Sequence, residues 1–422
     1  MLRTIMPAFF LSVLLLPNPA WAKYSGGSGE PNDPYQITAA ADLLTLAADT
    51  NDYGKNFVLT ADINLAACTF TTAVIAPDGD NSNWVFDGTA FTGVFDGAGH
   101  KILNLTIDTN GVGNEYLGLF GFVTGEIKNL TMENVEIISG IESYCLGGLA
   151  GQNDGNISNC SSTTAVTGGI ESSCLGGLVG QNGGNISNCF STAAVIGGSG
   201  SSYLGCLTGW SYSGTISNCC STGSVTGEYL SQYLGGLAGW NDDVISNCCS
   251  TANITGGDYA SNLGGLAGWN YLGTISNCYS TGLVSSPGFF LGGLIGQSAG
   301  GSISSCYFLD DSGPDNGLGE PLTDEQMKQQ SSFIGWDFVG ESANGSEDFW
   351  AICETVTYPK LTCQFTVGDY DNDKDVDFVD FAPMALKWLQ ADSNLYCGGA
   401  DLTGDGWVDI NDLEILTGNW LH

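Results

Sequence analysis

Residues 234–251 read LGGLAGWNDDVISNCCST. Versions of this stretch begin at Leu117, Leu146, Leu175, Leu204, Leu234, Leu263 and Leu291, seven units at a period of 28 to 30 residues. The shared pattern is L-G-G-L-x-G-[QW]-N-x-x-G-x-I-S-N-C-x-S-T-x-x-V-x-G. A fixed period of this size marks a solenoid, whose units bury their apolar faces against one another. No unit places apolar residues at helical spacing, and Gly, Ser, Thr, Asn and Val dominate. Helical repeats are therefore excluded, and short strands joined by tight bends are expected. The simplest fit is a mainly β fold in which each unit is one coil of a parallel β-helix. Seven coils at about 4.8 Å each make about 34 Å of rod.

Within "TISNC" (215–219) the Asn tolerates a left-handed backbone, which would turn the chain and reset its in/out alternation. Ile216 and Cys219 then both face inward. Cys160, Cys189, Cys219, Cys248, Cys278 and Cys306 recur once per coil and read as an internal ladder of small apolar side chains. One Cys per coil without clustered His does not match a metal-ligand spacing. Cys145 with Cys174, and Cys220 with Cys249, also stack one coil apart, within bridging range but in a strained arrangement. Cys353 and Cys363 flank a short loop and are the better-placed pair, leaving Cys68 and Cys397 spare. Asn159, Asn188, Asn218, Asn247 and Asn277 stack as bend residues whose amides can bond along the rod. Trp210, Trp240 and Trp269 share one position, with Gln in the coils on either side. An outward indole row would be a platform for sugar rings, whereas an inward or edge row would only pack; packing is the expected role.

The G-L-x-G…I-x-N-C-x-S-T-G pattern resembles the GLUG-repeat family of secreted bacterial surface proteins. The lead-in "GEPNDPYQITAAADLLTLA" and the coil "FTGVFDGAGHKILNLTI" share the likeness, which covers about residues 24–310. The resemblance implies a right-handed parallel β-helix used in adhesion and surface display, without an enzyme of its own. Residues 336–361 look like the closing coil of such solenoids, which shields an unpaired sheet edge.

The N-terminal residues read as an export signal: Arg3, the apolar "MPAFFLSVLLLP", and "AWA" at 20–22. That run is too short to span a bilayer comfortably, and no other stretch is long enough. The mature chain is expected from Lys23, secreted or held at the cell surface. Nine Lys and Arg stand against 45 Asp and Glu, and none of the nine lies between Asn129 and Met327. Nucleic acid is excluded as a partner, because binding phosphates requires basic side chains.

Polysaccharide lyases and hydrolases on β-helices use a basic residue above a calcium cleft, or close aspartates with a histidine. The repeat region has no Arg, and its one Lys is Lys128 in the first unit. Its adjacent carboxylates are Asp242–Asp243 and Asp310–Asp311, and the only non-terminal histidine is His100 in a bend. No HExxH, GxSxG or P-loop pattern occurs. A non-catalytic protein is expected; the alternative is a glycoside hydrolase or lyase working with carboxylates alone.

Eleven aspartates fall between Asp369 and Asp412. "DYDNDKDVDFVD" (369–380) and "DLTGDGWVDIND" (401–412) are twelve-residue loops, each followed by an amphipathic stretch. Phe381, Met384, Trp388 and Leu389 correspond to Leu413, Leu416, Trp420 and Leu421. Calcium takes six to eight hard oxygens, which such loops supply at positions 1, 3, 5, 7, 9 and 12. The first loop offers Asp369, Asp371, Asp373, the Asp375 carbonyl, Asp377 and Asp380. The second offers Asp401, Thr403, Asp405, the Trp407 carbonyl, Asp409 and Asp412. Two calcium sites are expected, with Val376 and Val408 at the apolar eighth position. The pair resembles a type I dockerin, which implies docking to a cohesin-bearing scaffold or cell-surface protein. Lys374 in place of Gly, Thr403 at position 3, and Phe378–Val379 and Ile410–Asn411 at positions 10 and 11 depart from that pattern. The expected organisation is a signal peptide (1–22), an N-terminal cap with first coils (23–116), seven repeats (117–310), a closing coil (311–365) and a small helical EF-hand-like domain (366–422).

Overall fold

The computed structural model describes residues 23–80, 83–340, 344–364, 376, 378–389, 399–402 and 407–418. The expected signal peptide lies outside them. The chain forms a parallel β-solenoid of about seven turns in the repeat region. One coil shows the plan: strands Ser202–Gly205, Thr208–Ser211, Thr215–Ser217 and Cys220–Gly227. Each pairs in parallel with its counterpart one coil on, so four sheets run along the rod. The register is like on like: Leu204 on Leu234, Trp210 on Trp240, Ile216 on Ile245, Cys220 on Cys249.

The bend is where the sequence places it. Asn159, Asn188, Asn218, Asn247 and Asn277 all have φ between 50° and 53°. Their amides bond along the rod: Asn218 Nδ2 donates to Asn188 Oδ1 at 3.1 Å, Asn247 to Asn218 at 3.3 Å and Asn277 to Asn247 at 3.2 Å. Ile216 and Cys219 are both fully buried. The six ladder thiols are buried and unbridged. Each Sγ donates to the carbonyl two residues back, as Cys219 does to Ser217 at 3.1 Å. Burial pushes the Cys219 thiol well above its ordinary range, so it stays protonated.

A second amide ladder runs inside the core. Asn153 Nδ2 donates to Asn182 Oδ1 at 2.8 Å, and Asn241 to Asn270 at 2.8 Å, all four fully buried. Polar groups survive there because each finds its partner in the adjacent coil.

The glycines of L-G-G-L-x-G let two sheets meet at a thin corner. A Cβ on Gly239 would lie 2.5 Å from the Leu204 backbone nitrogen. At the N-terminal end, the helix Ala40–Ala48 buries Leu43 and Leu46 against the first coils. At the other end, Glu320–Leu322 adds a last strand. Asn316 Nδ2 donates to the Ile295 carbonyl at 2.8 Å.

The residues beyond that strand fold sideways. Trp336, Phe338, Trp350 and Leu361 pack on an outward row of the rod that includes Cys220, Cys249, Tyr279 and Tyr307. Tyr279 Oη donates to the Pro359 carbonyl at 2.7 Å, and Trp336 Nε1 to the Ser305 carbonyl at 2.9 Å. Residues 336–361 thus cover a flank of the solenoid. Cys220 and Cys249, on the covered row, are disulfide-bonded with Cα atoms 4.6 Å apart. Cys145 and Cys174 are free. The expected Cys353–Cys363 pairing is corrected: Cys353 is disulfide-bonded, but Cys363 is a free thiol directed at the Asn218 carbonyl, 3.6 Å away. The flank segment carries Cys363 onto the rod, so nearness in sequence does not bring the two together.

Gly239→Ala is expected to destabilise the rod by about 1–3 kcal/mol, because the methyl group meets backbone that cannot yield. Thr251→Ala, on an exposed side chain, should leave the melting temperature unchanged. Equal melting temperatures for the two variants would refute the thin-corner packing.

Candidate functional site

Each coil carries a second left-handed residue, immediately before Leu-Gly: Tyr116, Cys145, Cys174, Tyr203, Tyr233, Asn262 and Phe290, with φ from 52° to 61°. Tyr, Cys and Phe rarely adopt this conformation, and each instance costs about 1–3 kcal/mol. At Tyr203 and Tyr233 the side chain turns onto the outer face, beside the residue seven positions on. Tyr203 stacks on Trp210 with centroids 5.7 Å apart, and Tyr233 meets Trp240 edge-on at 4.8 Å. A second apolar layer results outside the core. Tyr116, Cys145 and Cys174 are buried in it, against Phe86, Tyr144, Tyr203 and Trp210.

The Trp row is half-buried. Trp240 and Trp269 stack at 5.5 Å and 15°, and Tyr203 and Tyr233 at 5.2 Å and 9°. Rings that lie against one another along the rod spend their faces on each other, so packing is the role the geometry supports for this row. Asp242 clamps it. Its two carboxylate oxygens accept from Trp210 Nε1, at 3.2 Å, and from Trp240 Nε1. Burial raises the Asp242 pKa above the usual carboxylate range, and the two indole N–H groups oppose that shift. Asp242 is thus held by packing, while Asp310 and Asp311 sit exposed in the exit turn. His100 lies in its bend with Nδ1 3.4 Å from Asp62.

Between the rod and the flanking segment lies an open cavity of about 830 Å³. Asn188, Asn218, Phe190, Tyr358, Lys360 and Cys363 are among its walls, and no Asp, Glu or His is among the described residues that line it. It offers amides, hydroxyls and rings, with one amine from Lys360 and one thiol from Cys363.

In the tail, the helices Phe378–Lys387 and Ile410–Gly418 follow the two expected loops. Val376 and Val408 are buried in one cluster with Met384, Ala400 and Leu416, and Trp388 and Leu413 pack against it half-buried. Leu389 N–H donates to the Val408 carbonyl at 2.7 Å. Phe381 and Leu389 are exposed. Asp401 and Asp412 are buried. Asp412 accepts from the Leu402 and Asp409 amides, each at 2.7 Å, and Asp409 from Asn411 at 2.8 Å. Trp407 is exposed. Asp369, Asp371, Asp373, Asp375, Asp377, Thr403 and Asp405, and the side chain of Asp380, lie outside the described residues, as do Trp420 and Leu421. Among the described residues, no three His, Cys, Asp or Glu side chains are arranged to hold a metal ion.

Comparison with known proteins agrees with this architecture. The GLUG motif matches residues 142–167, 171–196 and 259–285. The chain is 35% identical over 148 residues to halomucin of Haloquadratum walsbyi. It is 32% identical over 141 residues to a candidate Gly-rich membrane protein of Evansella cellulosilytica. These stretches are 34% and 33% of this chain but only 2% and 15% of those proteins. A crystal structure of a candidate immunoglobulin A1 protease from Bacteroides ovatus is similar with a TM-score of 0.54 and 22% identity, over 81% of this chain and 96% of that one. At that identity the likeness shows the fold alone. The chain is a β-solenoid carrying GLUG-motif coils.

At the N-terminal end of the outer layer, Glu115 is buried next to Tyr116. Burial first, then the charges of Asp78, Asp80 and Asp87, push its pKa up to about 7. Its folded pKa exceeds its unfolded one, so protonation favours the fold. Stability from this group is present at low pH and is lost as pH rises toward 7. Glu115→Gln should therefore raise the melting temperature relative to the parent more at pH 8 than at pH 5. A difference independent of pH would show that Glu115 does not titrate in this way.

Proposed function

We propose that this chain is a non-catalytic, exported β-solenoid that acts at or beyond the cell surface in adhesion, display or polysaccharide-associated assembly. The carrying observation is the chemistry of the large groove, where amides, hydroxyls and rings dominate the walls and Lys360 and Cys363, the amine and the thiol there, face no carboxylate or imidazole among the described lining residues. The adjacent carboxylates of the repeats support the same reading: Asp242 is committed to two indoles and Asp310–Asp311 to an exposed turn. One relative is named as a membrane protein, which agrees with an envelope setting.

The acidic tail is the attachment module of this reading, a calcium-dependent dockerin-like unit that docks on a cohesin-bearing scaffold or surface protein. The donor chemistry fits. Asp401 and Asp412 are carboxylates drawn inward at the first and last positions of the second loop, the hard-oxygen donors that a calcium ion takes. Asp401, Thr403, Asp405, the Trp407 carbonyl, Asp409 and Asp412 would hold one ion. Asp369, Asp371, Asp373, the Asp375 carbonyl, Asp377 and Asp380 would hold the other. Bound calcium would neutralise these loops and couple the folding of the tail to the ion.

Calorimetric titration of the chelator-treated full chain with calcium is expected to show two sites, one of them lost in Asp412→Ala. With calcium present, the chain should release no reducing ends from a panel of plant and algal polysaccharides. Absence of calcium binding would sink the tail assignment, and new ends from any one substrate would sink the non-catalytic reading.

A further inference from the structure

Where the long strand leads into the Leu-Gly strand, large apolar side chains stand exposed and neighbour one another from coil to coil. Ile141, Ile170 and Tyr229 share one turn position, Tyr259 stands one residue further along the turn of the next coil, and Phe289 opens the Leu-Gly strand of the coil after that; the last three, on consecutive coils, are 50%, 58% and 56% exposed. The Tyr229 and Tyr259 ring centroids are 5.6 Å apart, and those of Tyr259 and Phe289 are 6.4 Å apart. Unlike the Trp row, these rings cross at 80° and 46° and are not stacked on one another. Glu142, Glu171, Glu228 and Asp258 stand exposed on the same turns. Ser199 Oγ donates to Glu228 Oε2 at 3.1 Å.

We propose that this ridge binds an extended, uncharged polysaccharide, with Tyr229, Tyr259 and Phe289 lying against its sugar rings. The proposal deepens the adhesion reading and rests on it. Aromatic rings supply large apolar area at low conformational cost, and flat C–H faces of sugars complement them. The flanking carboxylates accept hydrogen bonds from sugar hydroxyls. Charge selects the occupant. With four carboxylates on the ridge and no Lys or Arg from Asn129 to Met327, a polyanionic glycan is repelled. A second copy of the chain is opposed by a net charge of −36 on each molecule. The ridge is also one side chain wide, whereas a stable protein interface buries about 800 Å² per partner.

The test is affinity electrophoresis of the full chain in gels holding a neutral β-glucan, glucomannan or xyloglucan, against a gel holding polygalacturonate. At least one neutral gel should retard the protein, and polygalacturonate should not. Tyr229→Ala/Tyr259→Ala/Phe289→Ala should weaken that retardation about tenfold or more. Tyr229→Phe/Tyr259→Phe, which keeps the rings, should retain it. Unchanged melting temperatures establish that the variants are folded. Retardation that survives the triple alanine variant overturns the ridge assignment and leaves the adhesion reading standing. No retardation in any neutral gel, or retardation by polygalacturonate alone, overturns the proposal, while release of reducing ends is what overturns the non-catalytic reading. A dimer that the triple variant dissociates in sedimentation would make the ridge a self-association surface and overturn it as well.

Discussion

Everything in this molecule depends on the spacing between parallel strands. Inside the rod, coils about 4.8 Å apart leave little room for a side chain to differ from the one above it. There like lies on like. Leu sits on Leu, Ile on Ile, and a buried Asn on an Asn that satisfies its amide. The small thiols of the Cys ladder fit this spacing without bridging, because they face a crowded interior. The glycines at the thin corner answer the same constraint, since the backbones there are already in contact.

The constraint also shapes the exterior. A residue repeated outward once per coil becomes a ladder whether or not it binds anything. Trp240 and Trp269 show one outcome, rings stacked face to face and held from the side by Asp242. Tyr229, Tyr259 and Phe289, at three different positions of consecutive coils, are not such a ladder, and their rings cross with room around them. Charge is arranged with equal economy. From Asn129 to Met327 there is no Lys or Arg, so the rod presents hydroxyls, amides, rings and scattered carboxylates. Such a surface suits neutral ligands better than polyanions.

The parts of this fold that could be read from sequence are those in which residue type and backbone demand coincide. Asn in S-N-C announces its own left-handed turn, and Ile and Cys around it then follow by parity. The second left-handed row was not visible, because Tyr, Cys, Asn and Phe share no propensity for that conformation. Asn262 and the following Leu-Gly were the available signal. The inner Asn ladder was hidden behind the neighbouring Trp and Gln, which drew attention to the outward position. The sideways path of residues 336–361 has no period to betray it. Its trace lies in the rod, where the residue after the ladder Cys changes from Ser161 to Phe190, Cys220, Cys249, Tyr279 and Tyr307 as the flank is covered. The ridge residues were passed over because turns vary between coils and their exposure depends on the fold. The calcium loops expected from ligand spacing lie largely outside the described residues; among those described, Val376 and Val408 are buried in one cluster.

The account stands or falls on rung-for-rung stacking, with alternate cysteines inside and outside. Mass-spectrometric mapping of disulfides in the non-reduced, alkylated protein tests it directly. The account predicts a linked pair of peptides containing Cys220 and Cys249, one coil apart on the outward row. It also predicts that Cys160, Cys189, Cys219, Cys248, Cys278 and Cys306 are recovered as free thiols, alkylated only after unfolding. Bridges among those six, or Cys220 joined to a cysteine elsewhere than position 249, would contradict the register on which the whole structure is built.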